Sequence, residues 1–152
     1  MRALALLVII TSGCATHRGT EWNTHNAGPF TFSLPAGMHK TSAHGVDSYV
    51  SEFEGESMIV SFDYGFYSND FSGWPASTEF ETVSIDGLQA KIGVVHEGFH
   101  HRFDHSAQIY FSHTARPQGG YSLSMFASCR TPEDFALAKK VFHSIRFTRH
   151  RQ

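Results

Sequence analysis

The chain has 152 residues, 41% hydrophobic, 14% aromatic and 17% charged, a globular composition long enough to bury a core in one domain and unlike that of a disordered chain. Twelve Lys and Arg against 14 Asp and Glu leave a formal charge of −2. The only concentration of positive charge is a short tail with Arg146, Arg149, His150 and Arg151, so nucleic-acid binding is not expected.

The first predicted element is a leader. Arg2 precedes an eight-residue apolar run, 3–10 (ALALLVII). That run is too short to span a bilayer, which takes about 20 residues, and suits the apolar region of a secretory signal. Thr11-Ser12-Gly13-Cys14 follows and resembles a bacterial lipobox, with Thr11 where an aliphatic residue is usual. The resemblance implies a signal peptide over 1–13 and a Cys14 that carries acyl chains (palmitate among them) as the first mature residue. Two or more chains hold a protein stably on a membrane. Ala15, not Asp, follows the cysteine, which by the same resemblance implies the outer membrane, with the protein facing the periplasm. Residues 14–27 are polar and aperiodic and are expected to be a lipid-anchored tether. Cys129 is then a lone thiol, expected to be buried.

Alternation predicts the next elements. Phe30-Thr31-Phe32-Ser33-Leu34 alternates and stops at Pro35-Ala36-Gly37, a first strand. Segments 46–54 and 57–66 read as a hairpin around Gly55-Glu56, with Met58, Val60, Phe62, Tyr64 and Phe66 on one face. Residues 67–79 are irregular. Trp74 within them is a binding candidate, although plugging the edge of a core is the plainer role for it. Residues 80–85 are strand-like and end at Asp86-Gly87, a two-residue hairpin signal. Runs 105–114 and 121–129 alternate on either side of Pro117-Gln118-Gly119-Gly120. Thr131-Pro132-Glu133-Asp134 then opens a helix, with Thr131 as cap and Pro132 at the first position, and Phe135, Ala138, Val141, Phe142 and Ile145 form its apolar stripe. Strands followed by a helix predict an α+β domain over 28–148, followed by a basic tail, 149–152.

The segment between these elements carries the one catalytic motif. His96-Glu97-Gly98-Phe99-His100 matches H-E-x-x-H. On a helix, His96 and His100 would share a face and bind zinc, with Glu97 as general base. Leu88, Ile92, Val95, Phe99 and Phe103 have helical spacing, and Asp86 with Gln89 could cap such a helix. The same residues also alternate: Leu88, Ala90, Ile92, Val94 and His96 against Gln89, Lys91, Gly93, Val95 and Glu97. Gly93 and Gly98 each cost about 1 kcal/mol inside a helix, so two strands with the histidines at their bend are expected. A metal-binding module for zinc or copper is a third reading, with His96, His100, His101 and His105 as ligands. Imidazoles at a strand end and in a solvated loop are the simpler account, and no cofactor is expected. No nucleophile elbow, P-loop or dinucleotide fingerprint is present.

Three stretches resemble the PsbP-like family, which includes extrinsic photosystem and Mog-type proteins and small bacterial lipoproteins: FTFSLPAGM at 30–38, VSIDGLQAKI at 83–92, and the ending from YSLSMFASC at 121–129 to FALAKKVFHSIRF at 135–147. The resemblance implies a twisted antiparallel β-sheet flanked by helices, with the C-terminal helix packed on the sheet. It implies no shared catalytic residues. Members bind or scaffold partners. The expected function is therefore a non-enzymatic binding or scaffolding domain on an envelope lipoprotein. Its partners are the membrane, through the anchor, and an envelope protein or ligand that meets Trp74 or Phe99.

Overall fold

A computed structural model describes residues 21–43, 45–96, 103–114 and 120–148. Among these residues ten strands run in chain order: β1 Trp22–Asn26, β2 Phe30–Pro35, β3 His39–Lys40, β4 Tyr49–Glu54, β5 Met58–Gly65, β6 Glu79–Ile85, β7 Leu88–Val95, β8 His105–Phe111, β9 Ser122–Cys129 and β10 Arg146–Phe147. The helix α1, Asp134–His143, lies between the last two. Strands account for 51% of the described residues and helix for 9%. No described helix is long and apolar enough to cross a membrane.

The strands form two antiparallel sheets. The larger has the order β3-β4-β5-β9-β8-β7-β6, the smaller β1-β2-β10. This corrects the expected α+β class: the large sheet is not flanked by helices. The cover comes from a second sheet and one short helix. The physical reason lies partly in residues 22–26. They are polar enough to resemble a tether, yet they pair along the whole edge of β2, from Trp22↔Pro35 to Asn26↔Thr31. The chain after α1 pairs with the other edge through Arg146↔Thr31 and Phe147↔Phe30. Backbone pairing on both sides makes a sheet of segments whose side chains do not advertise one.

The period-two residues meet in the core. In register across the large sheet stand Met58, Val60, Phe62 and Tyr64 of β5, Cys129, Ala127, Met125 and Leu123 of β9, and Ala107, Ile109 and Phe111 of β8. All are buried. Phe30, Phe32 and Leu34 of β2 close over them. Phe30 meets the Phe62 ring edge-on at 5.1 Å, and Phe32 meets Phe53 at 5.7 Å. Each such ring contributes about 1.5–3 kcal/mol on burial. Helix α1 adds Phe135, Ala138, Val141 and Phe142.

Local chemistry sets the ends of the elements. Asp86 and Gly87 have φ of 52° and 82°, as a two-residue turn of the mirror-image type needs. The Asp86 carboxylate accepts the Phe147 N–H at 2.8 Å, which ties β10 to that turn. The helix starts later than Thr131-Pro132 suggests. Thr131 donates both its N–H and its hydroxyl to the Asp134 carboxylate, at 3.0 and 3.2 Å, and a turn precedes the first helical residue. At the other end Ser144 Oγ accepts the Ser33 N–H at 2.8 Å, which joins the helix to β2.

The second face of the large sheet is partly polar. It is covered by the segment between β5 and β6. Gln108 Nε2 donates to the Asn69 carbonyl at 2.7 Å. Phe71 lies edge-on to Phe80 and to Trp74, both at 5.2 Å. Gly93 makes this possible, since a Cβ there would stand 2.6 Å from the Phe71 ring. The glycine that argued against a helix is the one that lets an aromatic ring lie on the strand.

Candidate functional site

The large sheet has two ends where chemistry-bearing side chains gather. At the first, β7 finishes and β8 begins. Leu88–Val95 is a strand, paired with β8 from Lys91↔Tyr110 to Val95↔Ser106. The helix from residue 87 that would carry the zinc motif is therefore not formed over these residues, because Ile92, Val94 and their neighbours satisfy their backbone on both sides within the sheet. His96 is exposed and His105 half-buried. Their ring centroids are 6.2 Å apart, and both stand edge-on to Phe135 of α1, at 5.1 and 5.9 Å. His105 Nδ1 is buried and has no hydrogen-bond partner among the described residues. Glu97, Phe99, His100 and His101 lie outside the described residues, as does Cys14. Among the described residues no three His, Cys, Asp or Glu side chains gather into a metal-ligand set.

Electrostatics here are those of a closed corner. Cys129 pairs with His105 across β8 and β9 and is fully buried. Burial, reinforced by the Asp134 carboxylate, pushes its thiol up to about 12. It is not a nucleophile at neutral pH. The Glu133 carboxyl is held below its usual range by its own backbone N–H, by the Thr131 hydroxyl and, more weakly, by His105. The Arg130 guanidinium caps the corner, 4.8 Å over the Phe103 ring, and donates to the Glu56 carbonyl at 2.9 Å.

The opposite end is built from tyrosines, where β4 starts, β5 finishes and β9 begins. Tyr64 and Tyr121 stack at 5.5 Å with 9° between their planes, and Phe66 lies on Tyr121 at 4.3 Å. Hydroxyls hold the backbone beneath them. Ser68 Oγ donates to the Ser122 carbonyl at 3.0 Å. Thr114 Oγ1 donates to the Tyr121 carbonyl at 2.9 Å and sits 3.3 Å from the Tyr64 hydroxyl. Gly120 leaves room for Phe66, whose ring would stand 2.9 Å from a Cβ there. Beside this stack is an open groove of about 610 Å³, lined by Pro29, Val46, Asp47, Tyr49, Tyr64 and Tyr121 among others. Val46, Tyr49, Phe66 and Tyr67 are exposed, Tyr67 by 86%.

No family model matches this chain, and no curated protein matches it. The reading of the site therefore rests on its own geometry. Stacked phenol rings on a braced backbone suit recognition by contact: rings of this kind offer large area at low conformational cost, with a hydroxyl to direct a hydrogen bond. Trp74, a binding candidate from sequence, lies elsewhere. It is half-buried on the second face, against Phe71 and 6.3 Å from Phe126. The tyrosine end went unnamed in the sequence because its members come from four separate segments. The one local signal was Phe66-Tyr67 just past the end of an alternating run, where in-phase Phe66 belongs to the core pattern by sequence yet is exposed in the fold.

Proposed function

We propose that this chain is an envelope lipoprotein of the outer membrane, held through Cys14, whose domain is a non-enzymatic binding module facing the periplasm. The tyrosine end is its contact surface and an envelope protein its partner. The observation that carries this reading is the exposed set Val46, Tyr49, Phe66 and Tyr67, of which Val46 and Tyr49 line an open groove. Solvent-facing aromatic clusters of this sort mark contact sites on otherwise soluble folds. A PsbP-like origin is supported by the residue likeness at 30–38, 83–92, 121–129 and 135–147 and draws nothing from the number of helices. The anchor is supported by the order Arg2, apolar run, Gly13-Cys14.

Two experiments test this. Cys14→Ser should move the protein from the membrane fraction to the soluble fraction, and an unchanged membrane fraction would remove the anchor. A photoreactive amino acid at Tyr67 in living cells should give discrete protein adducts, while the same group at Thr148 should not. Equal and diffuse labelling from both positions would remove the contact surface.

One observation favours a second reading. The unpartnered His105 Nδ1 beside His96 fits a module that takes zinc or copper at the histidine end. Elemental analysis of the purified chain decides it: one equivalent of metal lost on His105→Ala would establish the module, and a metal-free protein would remove it.

A further inference from the structure

A separate cleft opens between the two sheets, where β1 and β2 face β3 and β4. It has a volume of about 230 Å³. A cavity of roughly 150 Å³ takes a benzene molecule, so this one has room for a single ring with a small substituent. Phe32, Phe53 and Phe62 form its apolar walls, together with His25. The imidazole stacks on Phe32 at 5.6 Å and stands edge-on to Phe53 at 4.8 Å. Burial holds the His25 pKa below its ordinary range, so at neutral pH this ring is an uncharged wall.

Polar groups interrupt that wall: Asn26, whose Oδ1 already accepts the Gly28 N–H at 2.7 Å, the Tyr49 phenol, Ser51 and Lys40. Ser51 occupies a core-facing position of β4, opposite Phe62, and is 1% exposed. The residue lines the cleft, while its hydroxyl is sealed from water and has no hydrogen-bond partner among the described residues. Buried hydroxyls are almost always satisfied, and each exception calls for an explanation. Lys40, opposite Phe53 on β3, is exposed and lines the same cleft. An apolar body with one anionic group would satisfy both. We propose that the cleft binds a small organic carboxylate, a single-ring or short-chain acid, whose carboxylate faces the Lys40 ammonium and accepts the Ser51 hydroxyl once that side chain turns about its Cα–Cβ bond into the cleft, while its hydrocarbon part lies against His25 and Phe53. This site is independent of the tyrosine end, although Tyr49 lines both openings.

The test is a titration of the ¹⁵N-labelled full chain in zwitterionic micelles with phenylacetate, and with benzyl alcohol as the uncharged counterpart. Phenylacetate should produce saturable amide shifts at His25, Ser51 and Phe53, with a Kd on the order of 1 mM, as for a ligand of this size. Lys40→Glu should weaken phenylacetate about tenfold and benzyl alcohol less than about twofold. Ser51→Ala should weaken phenylacetate while the spectrum stays dispersed and the thermal midpoint does not fall. Absence of saturable shifts at these three amides up to about 20 mM phenylacetate, in a dispersed spectrum, overturns the proposal. So does binding that Lys40→Glu leaves unchanged. Shifts confined to Val46, Phe66 and Tyr67 overturn it as well and assign the ligand to the tyrosine end.

Discussion

The two ends of the large sheet are built from comparable material and come out as opposites. Each gathers ring side chains from several segments onto strand termini. At the histidine end Phe135 of α1 lies across both imidazoles, and the corner is closed around a fully buried Cys129. At the tyrosine end the rings stack on one another, and four large apolar residues stay in solvent. Neither residue type nor strand position separates the two. The cover does: Phe135 of α1 lies on the histidines, whereas at the far end Phe30 of β2 reaches Tyr64 and the rings beyond it stay in solvent. His96, the one described residue of the motif that reads as catalytic, lies at the helix-covered end, and the surface suited to binding carries no motif.

The largest expected effect tests closure of the histidine end. With its pKa raised to about 12 and no exposure, the Cys129 thiol should react with iodoacetamide at about pH 8 roughly a thousandfold more slowly in the folded chain than in urea. Comparable rates, read by mass spectrometry, would mean that the corner is open. Next in size, Phe135→Ala should destabilise the fold by about 3 kcal/mol in urea unfolding, as expected for a large ring removed from a packed site. A loss below about 1 kcal/mol would show that Phe135 does not pack as a core ring at this corner.

A smaller effect concerns His25, a third imidazole packed on aromatic rings. Its folded-state pKa lies below the ordinary value of 6.5, so as pH falls the unfolded chain takes up the proton first. Stability should therefore be level above 6.5, fall as the pH drops from there through the folded-state pKa, and level off again below it. Urea midpoints at about pH 7.5 and about pH 5 should differ less in His25→Leu than in the parent chain. Equal differences would mean that burial of this ring costs its charged form nothing. The smallest effect belongs to the tyrosine end. Tyr67→Ser should change stability by less than about 0.5 kcal/mol, because that ring is exposed. A larger loss would move Tyr67 from the surface into the core and end the contrast between the two ends.

Much of the fold was legible as pattern. The hairpin at Gly55-Glu56, the turn at Asp86-Gly87, the extended Leu88–Val95 and the apolar stripe of α1 each rest on six to ten consecutive residues, whose periodicity is local. The class was misread because β1 and β10 carry no periodic signal and exist through pairing with β2. The candidate sites were less legible still. His96 and His105 could be placed near one another, whereas Tyr49, Tyr64, Phe66 and Tyr121, or Ser51 and Lys40, share a surface only after the strands have been ordered.

By itself the sequence determined most of the extended segments, which faces are apolar, and that a helix follows β9, because side-chain alternation and turn chemistry act over a few neighbouring residues. Tertiary structure alone decided that β9 inserts between β5 and β8, that a second sheet provides the cover, and that one set of rings packs against a helix residue while another is left to solvent. The physical reason is that burial belongs to what lies above a side chain, and what lies above is chosen by contacts between residues as distant as Ser33 and Ser144.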